Sequence, residues 1–366
     1  MRSLYMEWAK TKSQARYNLA TSGIASVPMA EFPLRVDALE ITSPGGYGYE
    51  PLQQRIARHA DVPAECVVAA TGTSMANHLA MAALLAPGDE VLLEQPAYGP
   101  LLDVANYLGA RVTRIARKSE NGFALDVSEV EGALTPATRL IVLTNLHNPS
   151  GSLIPAETLR AIGELAQRRH ACVLVDEVYL EMLFDENAPF AFRLGDGLPT
   201  DRENPFIVTN SLTKLYGLSG LRCGWVLASP PLAEKISRLN DLFGSVAPHP
   251  SELMSVMAFD HLHQFRHRAR TVLETNRPII DRFLDSCRNL ECFRPPGGTV
   301  FFPRLICGNP DAFFSLLRDR FETSVVPGSF FEMPEHFRIG IGGETAELRA
   351  GLERLDDALH EFARSA

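Results

Sequence analysis

Apolar positions along the chain fall into short runs separated by segments of helical character. Cys66–Ala70 (CVVAA), Val91–Glu94 (VLLE), Arg111–Ala116, Arg139–Thr144 (RLIVLT), Ala171–Asp176 (ACVLVD), Phe206–Thr209 and Trp225–Ser229 read as strands. Between them, Ser74–Ala86, Leu101–Leu108 and Pro155–Arg169 read as helices; the first is opened by a turn at Gly72 and closed by Pro87-Gly88-Asp89. Strands alternating with helices predict an α/β fold, a mostly parallel sheet with helices on both faces. Sheets of this kind bind ligands beyond the carboxyl ends of their strands. Ser251–Asp285 predicts one long, charge-laced helix. After it the pattern changes to a Pro-Gly-Gly turn at Pro296–Gly298, short strands and a terminal helix.

A chain of 366 residues is longer than one hydrophobic core usually supports. The expected division is a large domain over 40–275 and a smaller α+β domain built from 1–39 and 276–366. Apolar content of 46% and charged content of 22% fit a soluble globular protein, and a net charge of -9 argues against nucleic acid as a partner. Cys66, Cys172, Cys223, Cys287, Cys292 and Cys307 contain no CxxC pair, which fits reduced thiols in the cytoplasm. The first twenty residues lack the apolar core of an export signal and no run reaches membrane-spanning length, so neither export nor a membrane is expected.

Four segments carry candidate chemistry. Thr71-Gly72-Thr73-Ser74 joins a strand to a helix, where backbone N–H groups attract phosphate; a capped helix start is the plainer reading. Asn148-Pro149-Ser150-Gly151 follows a strand and by itself reads as a surface turn. Asp176 ends a buried run, a costly place for a carboxylate unless a cation meets it, and Tyr179 follows three residues on. Lys214 sits in Ser211-Leu212-Thr213-Lys214-Leu215-Tyr216-Gly217-Leu218-Ser219-Gly220-Leu221-Arg222, an apolar, glycine-punctuated stretch. Desolvation there would lower its pKa and make it nucleophilic towards aldehydes.

Taken in order and with their gaps, these motifs resemble the fold-type I pyridoxal-phosphate (PLP) enzymes of the class I/II aminotransferase family, the group containing aspartate aminotransferase. The resemblance runs from about Asn18 to the terminal helix. It implies a seven-stranded, mostly parallel sheet, PLP as cofactor, an amino acid and a 2-oxo acid as substrates, and a homodimer with shared active sites. Lys214 would carry the cofactor as a Schiff base and shuttle the proton. Asp176 would pair with the pyridinium nitrogen, and Asn148 and Tyr179 with the ring hydroxyl. Tyr98 would stack on the ring, while Thr73, Ser74, Ser211 and Arg222 would hold the phosphate. Arg338 matches the arginine that grips the substrate α-carboxylate, and Gly23 the glycine beside it.

The chain departs from the family pattern in two places. Counting back from Leu52 puts Ser43 where a tyrosine commonly reaches the partner's phosphate, and Tyr47 or Tyr49 is left to substitute, with Tyr47 preferred. No counterpart is evident for the extra arginine that reads dicarboxylate side chains. The same residues would also serve a carbon–sulfur β-lyase or related synthase, or a non-catalytic PLP-binding regulator. His261, His263 and His267 read as a solvated helix face and no metal site is expected. His249 reads as a loop residue, and Tyr5 and Trp8 could cap the cleft or pack on a partner.

Overall fold

The computed structural model describes residues 2–196, 198, 203–306 and 308–365, so Cys307 lies outside the described residues. Seven strands form the central sheet: β1 (Val67–Thr71), β2 (Glu90–Gln95), β3 (Arg111–Ala116), β4 (Thr138–Thr144), β5 (Cys172–Asp176), β6 (Phe206–Ser211) and β7 (Cys223–Leu227). Their spatial order is β1-β7-β6-β5-β4-β2-β3, and β7 alone runs antiparallel to its two neighbours. All seven expected strands are present, the last beginning two residues earlier than the apolar run suggested.

Alternation within the strands builds two cores. Ile141, Leu143, Val173, Val175, Phe206 and Val208 enter one cluster, while Leu140, Val142, Leu174 and Ile207 enter the other. Helices Glu50–Ala60, Ala156–Arg169 and Leu262–Ser286 cover the first face. Helices Gly72–Leu84, Gly99–Tyr107 and Pro230–Asn240 cover the second. Both faces are therefore dry, and the polar groups that must meet a ligand gather at the strand ends.

The expected long helix is two, His249–Phe259 and Leu262–Ser286, broken at Asp260–His261. Beyond it, the antiparallel strands Val300–Phe301, Phe337–Gly340 and Val326–Pro327 pack with helices Pro310–Phe321 and Thr345–Ser365. The N-terminal arm joins this part through Tyr17–Asn18, which pairs in parallel with Thr323–Ser324. It then passes between the two halves: Leu19 accepts from Gly340 N, Ile24 N donates to the Lys214 carbonyl and Ala25 N to the Gly342 carbonyl. Among the described residues, no helix is long and apolar enough to cross a membrane.

Candidate active site

A cavity of about 200 Å³ opens at the carboxyl ends of β4, β5 and β6. Nine of the expected site residues line it: Thr73, Ser74, Tyr98, Asn148, Asp176, Tyr179, Ser211, Lys214 and Arg222. Lys214 follows β6 and donates from Nζ to Ser22 Oγ at 2.9 Å. Burial lowers its pKa; Arg338 and Arg222 act in the same direction, and Asp176 opposes them. A lysine in this state gives up its proton more readily than one in water.

Asp176 ends β5 and is 5% exposed. Burial raises its pKa to about 6 against the pull of its hydrogen bonds and of Lys214. Its Oδ2 accepts from Asn77 Nδ2 at 2.9 Å, Asn77 Oδ1 accepts from Thr209 Oγ1 at 2.6 Å, and Oδ1 accepts from Val178 N at 3.2 Å. These bonds fix the carboxylate without neutralising it. Tyr179 is 3% exposed, and burial raises its phenol pKa.

One end of the cavity is a ready anion cradle. Helix Gly72–Leu84 starts directly from β1, and Gly72 takes a left-handed φ of 75° to make the turn. A Cβ at Gly72 would collide with the Arg222 guanidinium, and one at Gly224 would collide with the Gly72 backbone. The first helical turn, carrying Thr73 and Ser74, is thereby packed closely against Arg222 and β7. Thr73 Oγ1 is buried with no hydrogen-bond partner. A helix N-terminus, a guanidinium and an unsatisfied hydroxyl together fit a phosphate group.

Arg338 does not itself line the cavity but bonds to Asn148 and Tyr5, which do; it is on the strand Phe337–Gly340, 1% exposed. Nη1 donates to Asn148 Oδ1 at 2.8 Å, and Nη2 to Tyr5 OH at 3.1 Å and the Ala20 carbonyl at 3.3 Å; Nε is buried without a partner. Gly23 lies against the lysine, for a Cβ there would sit 3.3 Å from the Lys214 carbonyl oxygen. Tyr47 does not line this cavity. It is exposed, its hydroxyl 3.3 Å from Asp241 Oδ2 and its ring 3.8 Å from the Arg238 guanidinium carbon. Tyr49 packs edge-on against His249 at 4.9 Å.

Several lining residues escaped the sequence reading. Asn77 is an amide on the buried face of the helix Gly72–Leu84, among Ala76, Ala80 and Met81, a signal that could have marked it. Ser22 adjoins Gly23, and Thr144 closes β4, but neither carries a distinctive local pattern. Tyr5 and Met6, on the helix Leu4–Thr11, form one wall together with Tyr98, whose ring meets Tyr5 edge-on at 5.3 Å.

A doubly covered seven-stranded sheet with this lysine, aspartate and anion cradle at its strand ends defines a PLP enzyme of fold type I. The chain belongs to the aminotransferase class I and II family, whose model matches residues 42–355. It is 32% identical over 321 residues to an arginine–pyruvate transaminase of Pseudomonas aeruginosa, covering 84% of this chain and 80% of that protein. It is 30% identical over 379 residues to a capreomycidine synthase of Streptomyces vinaceus, covering 98% and 94%. A PLP-dependent aminotransferase from Streptococcus suis superposes with a TM-score of 0.91 at 26% identity, covering 99% of this chain and 98% of that one. The protein is an aminotransferase, its cofactor is pyridoxal phosphate, and its substrates are an amino acid and a 2-oxo acid.

Proposed function

We propose that Lys214, Asp176 and Arg338 run both half-reactions of this aminotransferase on a donor with a small, uncharged side chain. The observation that carries this reading is the buried Arg338 fork, ordered by Asn148 with Nε still unpaired, in the same site as a desolvated lysine. PLP, when bound, supplies the sink for the electron pair left on the substrate carbon. Lys214 takes and returns the proton at Nζ, where Ser22 Oγ orients it. Asp176 offers a fixed negative charge for the ring nitrogen, and Asn148 and Tyr179 offer donors to the ring hydroxyl. Thr73, Ser74, Ser211 and Arg222 hold the phosphate. Arg338 binds the α-carboxylate that donor and acceptor share, with Gly23 beside it.

The choice of side chain rests on the charge inventory. Among the described residues lining the cavity, the charged ones are Asp176, Lys214 and Arg222, all of which the cofactor engages. No carboxylate is left for a guanidinium, so the arginine in a relative's name is not carried over. The wall of Tyr5, Met6 and Tyr98 favours a neutral group. The expected division into 40–275 and 1–39 with 276–366 belongs to this reading, as does a cytoplasmic location, which the five cysteines among the described residues, all free, support. A homodimer is supported by the exposed apolar side chains of Val246, which lines a groove with Tyr47, and of Leu242 and Phe243, which follow the Asp241 that Tyr47 meets.

A cyclising synthase or lyase on the same scaffold is the second reading, favoured by the match to the capreomycidine synthase over 98% of the chain. A panel of amino acids added to holoenzyme separates the two. A transaminase converts bound cofactor to its amine form and stops until a 2-oxo acid is added, and Lys214→Ala abolishes the conversion. Sustained turnover without an acceptor would overturn the first reading.

A further inference from the structure

At the cavity end of the sheet, β2 and β4 splay apart: Leu93 opposite Val142 is their last ladder pair. Beyond it, the Glu94 side chain takes the place of the missing ladder bonds between them. Glu94 Oε1 accepts from Thr144 N at 2.7 Å and from Thr144 Oγ1 at 2.6 Å. Its other oxygen, Oε2, accepts from Arg117 Nη1 at 2.7 Å. The Arg117 and Glu94 side chains are 0% and 1% exposed, and Arg117 is tied further by Nε donating to the Phe123 carbonyl at 2.6 Å. Two charges buried this deeply are seldom kept for stability, because an apolar pair of like volume serves that end as well or better.

The hydrogen bonds run in one direction. The Thr144 hydroxyl spends its proton on Glu94, so its lone pairs face the Asn148 N–H, which donates at 3.0 Å. Asn148 in turn gives its side-chain oxygen to Arg338, leaving its NH2 group for the cavity that it lines. Glu94 itself does not line the cavity and touches neither end of the chemistry.

We propose that Glu94, held by its pairing with Arg117, is a positioning residue that acts through Thr144 to set Asn148 between the cofactor and the carboxylate-binding Arg338. The proposal rests on the roles given above to Asn148 and Arg338. Glu94→Gln keeps the size but puts an NH2 group against either Arg117 or the Thr144 N–H, so one donor always faces another donor. Thr144→Val keeps the ion pair and removes the relay.

The test uses PLP holoenzyme and two readouts besides turnover: a pH titration of the bound-cofactor absorbance, and the dissociation constant for L-alanine read from the same band. Glu94→Gln and Thr144→Val are each expected to move the apparent pKa of the band by about one unit and to weaken L-alanine about tenfold, in the direction set by Asn148→Ala. If Glu94→Gln alone does not fold, the charge-neutral Glu94→Gln/Arg117→Met pair supplies the measurement, with Thr144→Val as the independent arm. Unshifted titrations and unchanged L-alanine binding in folded Glu94→Gln and Thr144→Val, with a shift in Asn148→Ala, overturn the inference and leave the functional reading standing. No shift in Asn148→Ala overturns the reading of Asn148, and this inference with it.

Discussion

Asp176 shows how a single side chain ties stability to the cofactor. Burial lifts its pKa from 3.8 to about 6, so folding the cofactor-free chain costs most where the carboxylate is ionised. A carboxyl raised in the folded state contributes its stability below the unfolded value, and loses it as pH rises through the folded value. The window therefore runs from about pH 4 to above pH 6, and the full difference corresponds to about 3 kcal/mol. Asp176→Asn removes this dependence. Urea unfolding of the apo protein should show a smaller fall between pH 4 and pH 7.5 in the variant than in the wild type. Holoenzyme turnover in the variant should fall by orders of magnitude. A variant that kept both the pH slope and the turnover would make Asp176 a structural carboxylate. Glu177, raised to about 8 chiefly by burial, titrates in both proteins. The smaller part of its shift that comes from the Asp176 charge is lost in the variant, which adds to the difference in the same sense.

Among the elements, the junction of β1, β7 and helix Gly72–Leu84 is the most tightly specified. Gly224 lies on β7, and a Cβ there would press on the Gly72 and Thr73 backbone that begins the helix. Gly224→Ala should cost about 1–3 kcal/mol of stability and weaken PLP binding, with a smaller change in the dissociation constant for L-alanine; equilibrium unfolding and PLP titration of apo protein check both. This junction also shows what could be read beforehand. Apolar runs marked β1 to β7 because both faces of a parallel sheet are buried, and Thr73, Lys214 and Asp176 stood out because polar groups next to such runs need partners. Ser22, Thr144 and Glu94 did not stand out: they are joined to the site by contacts from distant segments, which no local spacing records. The break at Asp260–His261 was missed for a related reason. Helix-favouring residues run on across it, and no proline or glycine marks the stop. By local pattern Tyr5 reads only as a cap or a packing residue, since its contact with Arg338 spans most of the chain.

In the whole molecule, the N-terminal arm is laid between the segment after β6, through Lys214, and the C-terminal strands, through Gly340 and Gly342. The exposed side chains of Leu242 and Phe243, 79% and 50% accessible, directly follow Asp241, which the Tyr47 hydroxyl of the glycine-rich turn meets at 3.3 Å. If this face joins two copies, Leu242→Asp with Phe243→Ser should shift sedimentation velocity from dimer to monomer and reduce PLP affinity, while far-UV circular dichroism stays unchanged. A wild-type chain that sediments as a monomer at micromolar concentration would count against the shared site.

The helix Leu4–Thr11 puts Tyr5 and Met6 in the wall of the reaction chamber, whereas the helix Thr345–Ser365 gives no described residue to that wall. The two helices are thus unequal places for a label. A fluorophore attached to the helix Leu4–Thr11 sits at the chamber wall and becomes a variable in every rate measured, while the same dye on the helix Thr345–Ser365 hangs from an element that only braces the frame.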